Sequence, residues 1–144
     1  MTKRYYLWFM VALIIMASVL PGCKGEKQDT SSNTPYVQDV TSREAFNLIQ
    51  KNKSNPDFII LDVRTASEFY DGHIEGAPNI DVNLPSFREE MGKLNKNDTY
   101  LVYCRTGNRS RTALRIMEEL GFTSIYHIAN GISEWISAGL PVSQ

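Results

Sequence analysis

The chain has 144 residues, a formal net charge of −1 at pH 7 and a hydrophobic fraction of 42%. This slightly acidic balance excludes a protein that binds nucleic acid through a broadly basic surface. The length supports one domain with a single core, preceded by a short N-terminal segment.

The N-terminal segment is typical of a secretory signal. Lys3 and Arg4 precede an uncharged apolar run over residues 5–20, which is shorter than the roughly 20 residues of a membrane-spanning helix. A small residue, Gly22, then stands directly before Cys23. This is the pattern of a bacterial lipoprotein signal, in which the cysteine is acylated and becomes the new N-terminus.

The sequence therefore predicts a signal peptide over residues 1–22, and a lipidated Cys23 with a flexible linker over residues 23–35. The linker is expected because residues 24–35 contain no large apolar side chain. The lipid would anchor the protein to a membrane of a bacterial cell envelope, facing the periplasm, and Lys24 favours the outer membrane. The alternative is an uncleaved anchor helix, which would tether the domain to the same face of the membrane.

The remaining residues, 36–144, alternate between helical and strand-like patterns. Thr41 and Glu44 fit a capping box at the start of an amphipathic helix. Apolar runs predict strands at residues 57–61, 80–82, 99–104 and 125–128. With helical patterns between them, these runs predict a parallel α/β sheet, whose ligands bind at the carboxyl ends of the strands.

One predicted strand ends in a cysteine. Cys104 closes an apolar run, and an amphipathic helix is predicted to open at Ser110 and to end at Gly121. This geometry directs backbone N–H groups and the positive end of a helix at one sulfur, and Arg105 and Arg109 add positive charge. Such a thiol has a lowered pKa and is a nucleophile near neutral pH. The alternative is a buried cysteine that acts as a small hydrophobic residue.

The cysteine count supports a working thiol. The chain has two cysteines, so a lipid on Cys23 would leave Cys104 as the only thiol and would exclude an internal disulfide. A lone thiol in an oxidising compartment is exposed to oxidation. We therefore expect Cys104 to be retained for its chemistry.

The spacing between cysteine and arginine separates two classes of thiol enzyme. Cysteine phosphatases enclose phosphate in a Cys-x5-Arg loop, but Ser110 stands at that position and Arg109 comes one residue earlier. Tyr103 precedes Cys104, where those phosphatases usually carry histidine. The sequence therefore disfavours a phosphatase. The tighter Cys-x4-Arg loop resembles the active-site loop of the rhodanese family of sulfurtransferases.

Other segments resemble the first and closing signatures of the same family, at residues 61–69, 72–80, 131–135 and 139–142. The usual Gly-Gly of the family is Asn130-Gly131 here, a mild departure because asparagine also tolerates a left-handed backbone. The resemblance extends from Tyr36 to Val142. It implies a single α/β rhodanese-like domain over residues 36–144, with a central, mostly parallel sheet of about five strands flanked by helices.

The resemblance also implies the activity. Cys104 would take a sulfane sulfur from a small anionic donor such as thiosulfate, hold it as a persulfide and pass it to cyanide or a thiol. A protein is an alternative sulfur donor or acceptor. The predicted substrate loop consists of Arg105, Thr106, Gly107, Asn108, Arg109 and Ser110. Its backbone amides would stabilise both the thiolate and the persulfide.

Within this loop the two arginines have different expected roles. Arg109 would close the loop and attract the anionic donor, or it would pair with a carboxylate that fixes the loop. Arg105 would point outward and select donors. Asp62 and Arg64, at the end of the neighbouring strand, are expected to support the loop, with a structural role favoured for Arg64. Glu68 is expected to cap a helix.

The histidines are expected to be structural. An ionised cysteine needs no general base, so a structural role is favoured for His73, while His127 and Trp135 are predicted to be core residues. Two separated histidines and one thiol form no metal-ligand cluster, and no cofactor is implied. The alternative to an enzyme is a sulfur-carrier or protein-interaction module with little turnover of free thiosulfate.

Overall fold

The computed structural model describes residues 35–144. The predicted signal peptide, the acylation site Cys23 and the linker up to residue 34 lie outside the described residues. Within the described part, no helix combines the length and the apolar character that crossing a membrane requires. The elements in chain order are β1 (Tyr36–Val40), α1 (Ser42–Lys51), β2 (Phe58–Asp62), α2 (Ala66–Tyr70), α3 (Phe87–Gly92), β3 (Thr99–Tyr103), α4 (Asn108–Glu119), β4 (Ser124–Ile128) and α5 (Gly131–Ser137).

The strands form one parallel sheet in the order β1-β4-β3-β2. The predicted α/β class and parallel sheet are confirmed, but the sheet has four strands rather than about five. The strand predicted over residues 80–82 is wrong. Asn79 forms a single bridge with Asp62. The N–H groups of Ile80 and Val82 donate to the carbonyl oxygens of Asp62 and Val63, but no continuous strand forms.

The sequence pattern missed β1. This strand lies at the edge of the sheet, and most of its residues are exposed. Gln38 and Asp39 interrupt its apolar pattern, so no continuous apolar run marks it. β2 is the strand at the other edge, but it is more buried than β1 and keeps its apolar run. The solvent exposure of β1 therefore removes the signal that identified the other three strands.

Helices cover both faces of the sheet. On one face, Phe87 of α3 and Met117 of α4 pack in the same cluster as Cys104. On the other face, Ala45 of α1 packs in one cluster with Trp135 of α5, which confirms the core position predicted for Trp135. The capping box predicted at the start of α1 is also present.

The helix after Cys104 begins earlier than predicted. It opens at Asn108 rather than Ser110, with Gly107 as its N-cap residue. Gly107 has a φ of 93°, a left-handed conformation that lets the chain turn from the strand into the helix within three residues of Cys104. Ser110 consequently lies in the first turn, where its side chain and N–H face the loop.

Candidate active site

Cys104 directly follows β3, at the carboxyl end of the parallel sheet. The residue is 1% exposed. The N–H of Gly107 donates to its sulfur over 3.2 Å, and the hydroxyl oxygen of Ser110 lies 3.3 Å from the sulfur. Burial raises the pKa of the Cys104 thiol, whereas hydrogen bonds from Ser110, Thr106 and Gly107 lower it. The lowering effect is the larger, so the pKa of the thiol lies below its ordinary value. The site therefore favours a thiolate.

The start of α5 holds the loop from behind. The N–H of Ile132 donates to the carbonyl oxygen of Cys104 over 2.9 Å, and the N–H of Ser133 donates to that of Arg105 over 3.1 Å. The approach is so close that a Cβ on Gly131 would lie 2.4 Å from the Cys104 carbonyl oxygen. Gly131 also has a φ of 61°, in the left-handed region. The close contact and this backbone conformation together favour glycine at this position.

The second close approach is at Gly107. A Cβ there would lie 1.9 Å from the carbonyl oxygen of Ala129. Asn130, which replaces the first glycine of the family pair, has a φ of −104°. Asn130 therefore does not need to adopt a left-handed backbone conformation, because within this pair only Gly131 adopts it.

Arg109 is held by a carboxylate from α2. Its two terminal nitrogens each donate to one oxygen of Glu68 over 2.7 Å, and the two side chains are 28% and 23% exposed. Glu68 also caps α2 as predicted, by accepting from the N–H and hydroxyl of Thr65. The Arg109 hydrogen bonds lower the pKa of Glu68 to about 2. Of the two roles expected for Arg109, the observed contacts are those of the loop-fixing pair.

The other predicted loop residues differ in their exposure to solvent. Arg105, Thr106 and Asn108 are exposed, while Gly107 and Ser110 are buried against the sulfur. The loop thus has a sulfur-facing set, Gly107 and Ser110, and a solvent-facing set, the side chains of Arg105, Thr106 and Asn108. Arg105 lies outward, where it was expected.

Asp62 and Arg64 form a buried ion pair beside the loop. The Arg64 Nη2 lies 2.6 Å from the Asp62 carboxylate and also donates to the carbonyl oxygen of Gly72 over 2.7 Å. Between them, the N–H of Val63 donates to the carbonyl oxygen of Tyr103, the residue before Cys104. The pair thus fixes the segment that leads into α2, and its support of the loop is indirect.

His73 lies away from the sulfur. Its ring stacks on Phe69, with centroids 3.8 Å apart, and its backbone pairs with Ser143. These contacts fasten the C-terminal residues to the segment after α2. They agree with the structural role expected for His73.

His127 is a buried core residue, as predicted, but its partners were not foreseen. Its Nε2 lies 2.7 Å from the Ser110 hydroxyl oxygen, and its Nδ1 lies 2.7 Å from a carboxylate oxygen of Asp39. Side chains alternate along a strand, so Ile125 and His127 of β4 share the face that packs on α4. A histidine on the strand face that packs on α4 was the one sequence feature that could have indicated the contact with Ser110. No sequence feature indicated the contact with Asp39, because its strand was not recognised.

The described residues contain no group of three or more His, Cys, Asp or Glu side chains that could hold a metal ion. The chemistry that the arrangement supports is that of a buried thiolate. Uncharged donors surround its sulfur, and ion pairs fix the surrounding segments.

Comparison with known proteins identifies relatives of this chain by sequence. The chain is 32% identical over 108 residues to YrkF of Bacillus subtilis (strain 168), named as a candidate sulfur carrier protein, and the match covers 75% of this chain and 56% of that protein. It is 28% identical over 103 residues to a protein of Allochromatium vinosum named sulfurtransferase, covering 72% of this chain and 94% of that one. The chain spans about half the length, or less, of the first curated relatives it matches.

A solved structure agrees with the sequence matches. The rhodanese-related protein from Thermoplasma volcanium has a TM-score of 0.61 and 28% identity, and the match covers 74% of this chain and 97% of that one. The rhodanese-like domain family matches residues 43–138, which include nearly all of α1, the whole of α5 and the whole loop around Cys104. The chain therefore belongs to the family of rhodanese-like domains.

Proposed function

We propose that the chain is a sulfurtransferase that carries a sulfane sulfur as a persulfide on Cys104. The observation that carries this proposal is the sulfur itself, which accepts from the Gly107 N–H and the Ser110 hydroxyl and has a lowered thiol pKa. The relative from Allochromatium vinosum, almost all of which the chain covers, supports the same activity through its name.

The proposed reaction has two steps. The Cys104 thiolate attacks the outer sulfur of thiosulfate, the sulfur–sulfur bond of the donor breaks, and sulfite leaves with the electron pair. Cyanide or a thiolate then attacks the terminal sulfur of the persulfide, and thiocyanate or a new persulfide leaves. Cys104 is a thiolate again at the end, so the cycle needs no external oxidant or reductant.

A second candidate function is supported by the burial of the thiol. Because Cys104 is 1% exposed, a free anion reaches the sulfur only when the loop opens. A partner protein that presses on the exposed residues Arg105, Thr106 and Asn108 would open it. This favours a sulfur carrier that exchanges with proteins, and the name of the Bacillus subtilis relative supports it as well.

Phosphatase chemistry is not proposed. The Cys-x4-Arg loop is one residue shorter than a phosphate loop, and Arg109 donates to both oxygens of Glu68. Two of the five N–H donors of the Arg109 guanidinium are therefore already engaged by a carboxylate.

Intact mass spectrometry tests the covalent step. We expect incubation with thiosulfate to add one sulfur atom to the chain and cyanide to remove it as thiocyanate. Cys104→Ser should prevent both, because the hydroxyl is not a sulfur acceptor. Sulfur loading without multiple turnover would favour the carrier, and thiocyanate formation by Cys104→Ser would contradict the persulfide.

We also propose that a lipid on Cys23 holds the domain at a bacterial envelope membrane. The support is the sequence before the cysteine, where a basic start and a short apolar run end at Gly22. Cys23→Ala should prevent lipid attachment and change the mass of the mature protein. Membrane-derived protein that retains residues 1–22 and carries no acyl chain would contradict the proposal and indicate an anchor helix.

A further inference from the structure

A continuous chain of hydrogen bonds leads from the buried sulfur to the protein surface. The Cys104 sulfur lies 3.3 Å from the Ser110 hydroxyl oxygen, which lies 2.7 Å from Nε2 of His127. Nδ1 of the same ring lies 2.7 Å from Asp39. Ser110 and His127 are fully buried, whereas the Asp39 side chain is 48% exposed. The thiol thus has a polar path to solvent through three side chains.

The Ser110 hydroxyl has one proton and three neighbouring acceptors. These are the sulfur, Nε2 of His127 and the carbonyl oxygen of Gly107 at 2.9 Å. The Asp39 carboxylate only accepts, so Nδ1 carries a proton in either state of the ring. A neutral His127 therefore has a bare Nε2, which takes the Ser110 proton. An imidazolium instead donates from Nε2 to Ser110 and leaves the hydroxyl proton free to turn toward a thiolate.

We propose that His127 stores the proton of the Cys104 thiol. The thiol proton passes to the Ser110 oxygen while the Ser110 hydroxyl proton passes to Nε2 of His127. One S–H bond breaks, one N–H bond forms, and the products are a thiolate and an imidazolium held by Asp39. The total charge of the site does not change. His127 does not touch the reacting sulfur, so it acts as a positioning residue through Ser110.

The role of this stored proton in catalysis rests on the proposed function. A persulfide carries the same single negative charge as the thiolate. The imidazolium would remain a matched partner through both steps of sulfur transfer. The loop arginines stabilise the negative sulfur less than the imidazolium would, because Arg109 is bound by Glu68 and Arg105 is exposed.

The groups that face His127 come from three elements. β1 contributes Asp39, and α4 contributes Ser110 and Arg111, whose Nη2 lies 3.1 Å from the second Asp39 oxygen. β3 contributes Val102, the register neighbour of His127. The hydrogen bond from His127, opposed by burial and aided by Arg111, lowers the pKa of Asp39. Asp39 therefore stays ionised and accepts from Nδ1 of His127.

The test is the pH dependence of the thiolate, followed by its ultraviolet absorbance in the full chain in detergent. The titration of Cys104→Ser is subtracted to remove Cys23 and the tyrosines. We expect His127→Gln to raise the thiolate midpoint by about one pH unit or more, because a positive partner is lost. Asp39→Asn should raise it by less. His73→Gln is the matched control, since the chain has two histidines, and it should leave the midpoint unchanged.

The proposal is overturned if His127→Gln and Asp39→Asn both keep the wild-type midpoint. If His127→Gln does not fold, Asp39→Asn decides alone, because its side chain is half exposed. In the wild type, nitrogen-15 spectra should show His127 as imidazolium across the pH range in which the thiolate first appears, and a neutral ring there would overturn the proposal. Loss of thiosulfate turnover with these results intact would count against the proposed function only.

Discussion

The two sides of the loop around Cys104 differ in how they use charge. The sulfur-facing side presents uncharged donors, the Gly107 N–H and the Ser110 hydroxyl, in a buried setting. The solvent-facing side carries Arg105, which is exposed, and Arg109, which is bound by Glu68. Buried dipoles act in a low dielectric, where they are stronger than the same groups in water. The difference indicates that direct contacts from neutral donors lower the thiol pKa, while the loop's formal charges mainly fix its position.

The largest expected effect comes from breaking the sulfur-facing side with Gly107→Ala. A Cβ there would lie 1.9 Å from the Ala129 carbonyl oxygen, so the loop must move. We expect the free energy of unfolding to fall by about 3 kcal/mol or more, through a backbone clash added to left-handed strain. Urea denaturation measures the loss, and the thiolate midpoint should rise as the Gly107 donor shifts.

Gly121→Ala is the matched control for this change. Gly121 has a φ of 85°, but a Cβ there meets nothing within 4 Å. Only the conformational cost remains, about 1 kcal/mol. Equal losses in the two variants would show that the close approach at Gly107 is unimportant.

A smaller effect is expected on the solvent-facing side from Glu68→Gln. The Arg109 hydrogen bonds lower the pKa of Glu68 from 4.5 to about 2. The ionised carboxylate therefore stabilises the folded state fully at a pH above 4.5, the ordinary pKa of the group. This contribution is lost as the pH falls from 4.5 toward 2. We expect Glu68→Gln to cost about 1–2 kcal/mol at neutral pH, after allowance for the partial exposure of the pair.

Unfolding measured at neutral and at acid pH checks this prediction, because the difference between wild type and Glu68→Gln should shrink in acid. Glu89→Gln is the control, since Glu89 pairs with Lys93 on the exposed surface of α3. It should change stability far less. A difference for Glu68→Gln that stays constant with pH would contradict the assigned ion-pair contribution.

The smallest expected effect is that of Arg105→Ala. The residue is exposed, so stability should change by no more than about 0.5 kcal/mol. The thiolate midpoint should also stay near the wild-type value, while the rate of sulfur loading from thiosulfate should fall if Arg105 attracts anions. A midpoint that rises as far as in His127→Gln would show that exposed charge, rather than buried donors, controls the thiol.

The sequence predicted the more buried strands and the helix starts well. β2, β3 and β4 are apolar runs that are mostly buried, and two capping boxes marked the starts of α1 and α2. The cysteine loop was recognised because its chemistry lies within seven consecutive residues. The sequence analysis missed β1, whose exposed residues hide its pattern. It also placed a strand at residues 80–82, where the only bridge nearby is that of Asn79.

Parts of the candidate site could not be found in the sequence because their partners are far apart. Glu68 was expected to cap a helix, which it does, but its contact with Arg109 joins residues 41 positions apart. The sequence predicted that backbone N–H groups and two arginines would act on the sulfur, whereas the observed contacts of the sulfur are with the neutral donors alone. Local spacing identifies a reactive loop, and only tertiary packing determines which of its groups face the sulfur.

The pairing of β1 with β4 has a consequence for the growing chain. Asp39 and His127 are 88 residues apart, so β1 leaves the ribosome long before its partner strand exists. Such a long-range closure is slow and comes late in folding. A nascent or truncated chain would therefore expose an ordinary thiol, with the sluggish reactivity of an unstructured cysteine. Cys104 would acquire its full set of partners only after β4 and the start of α5 had been synthesised.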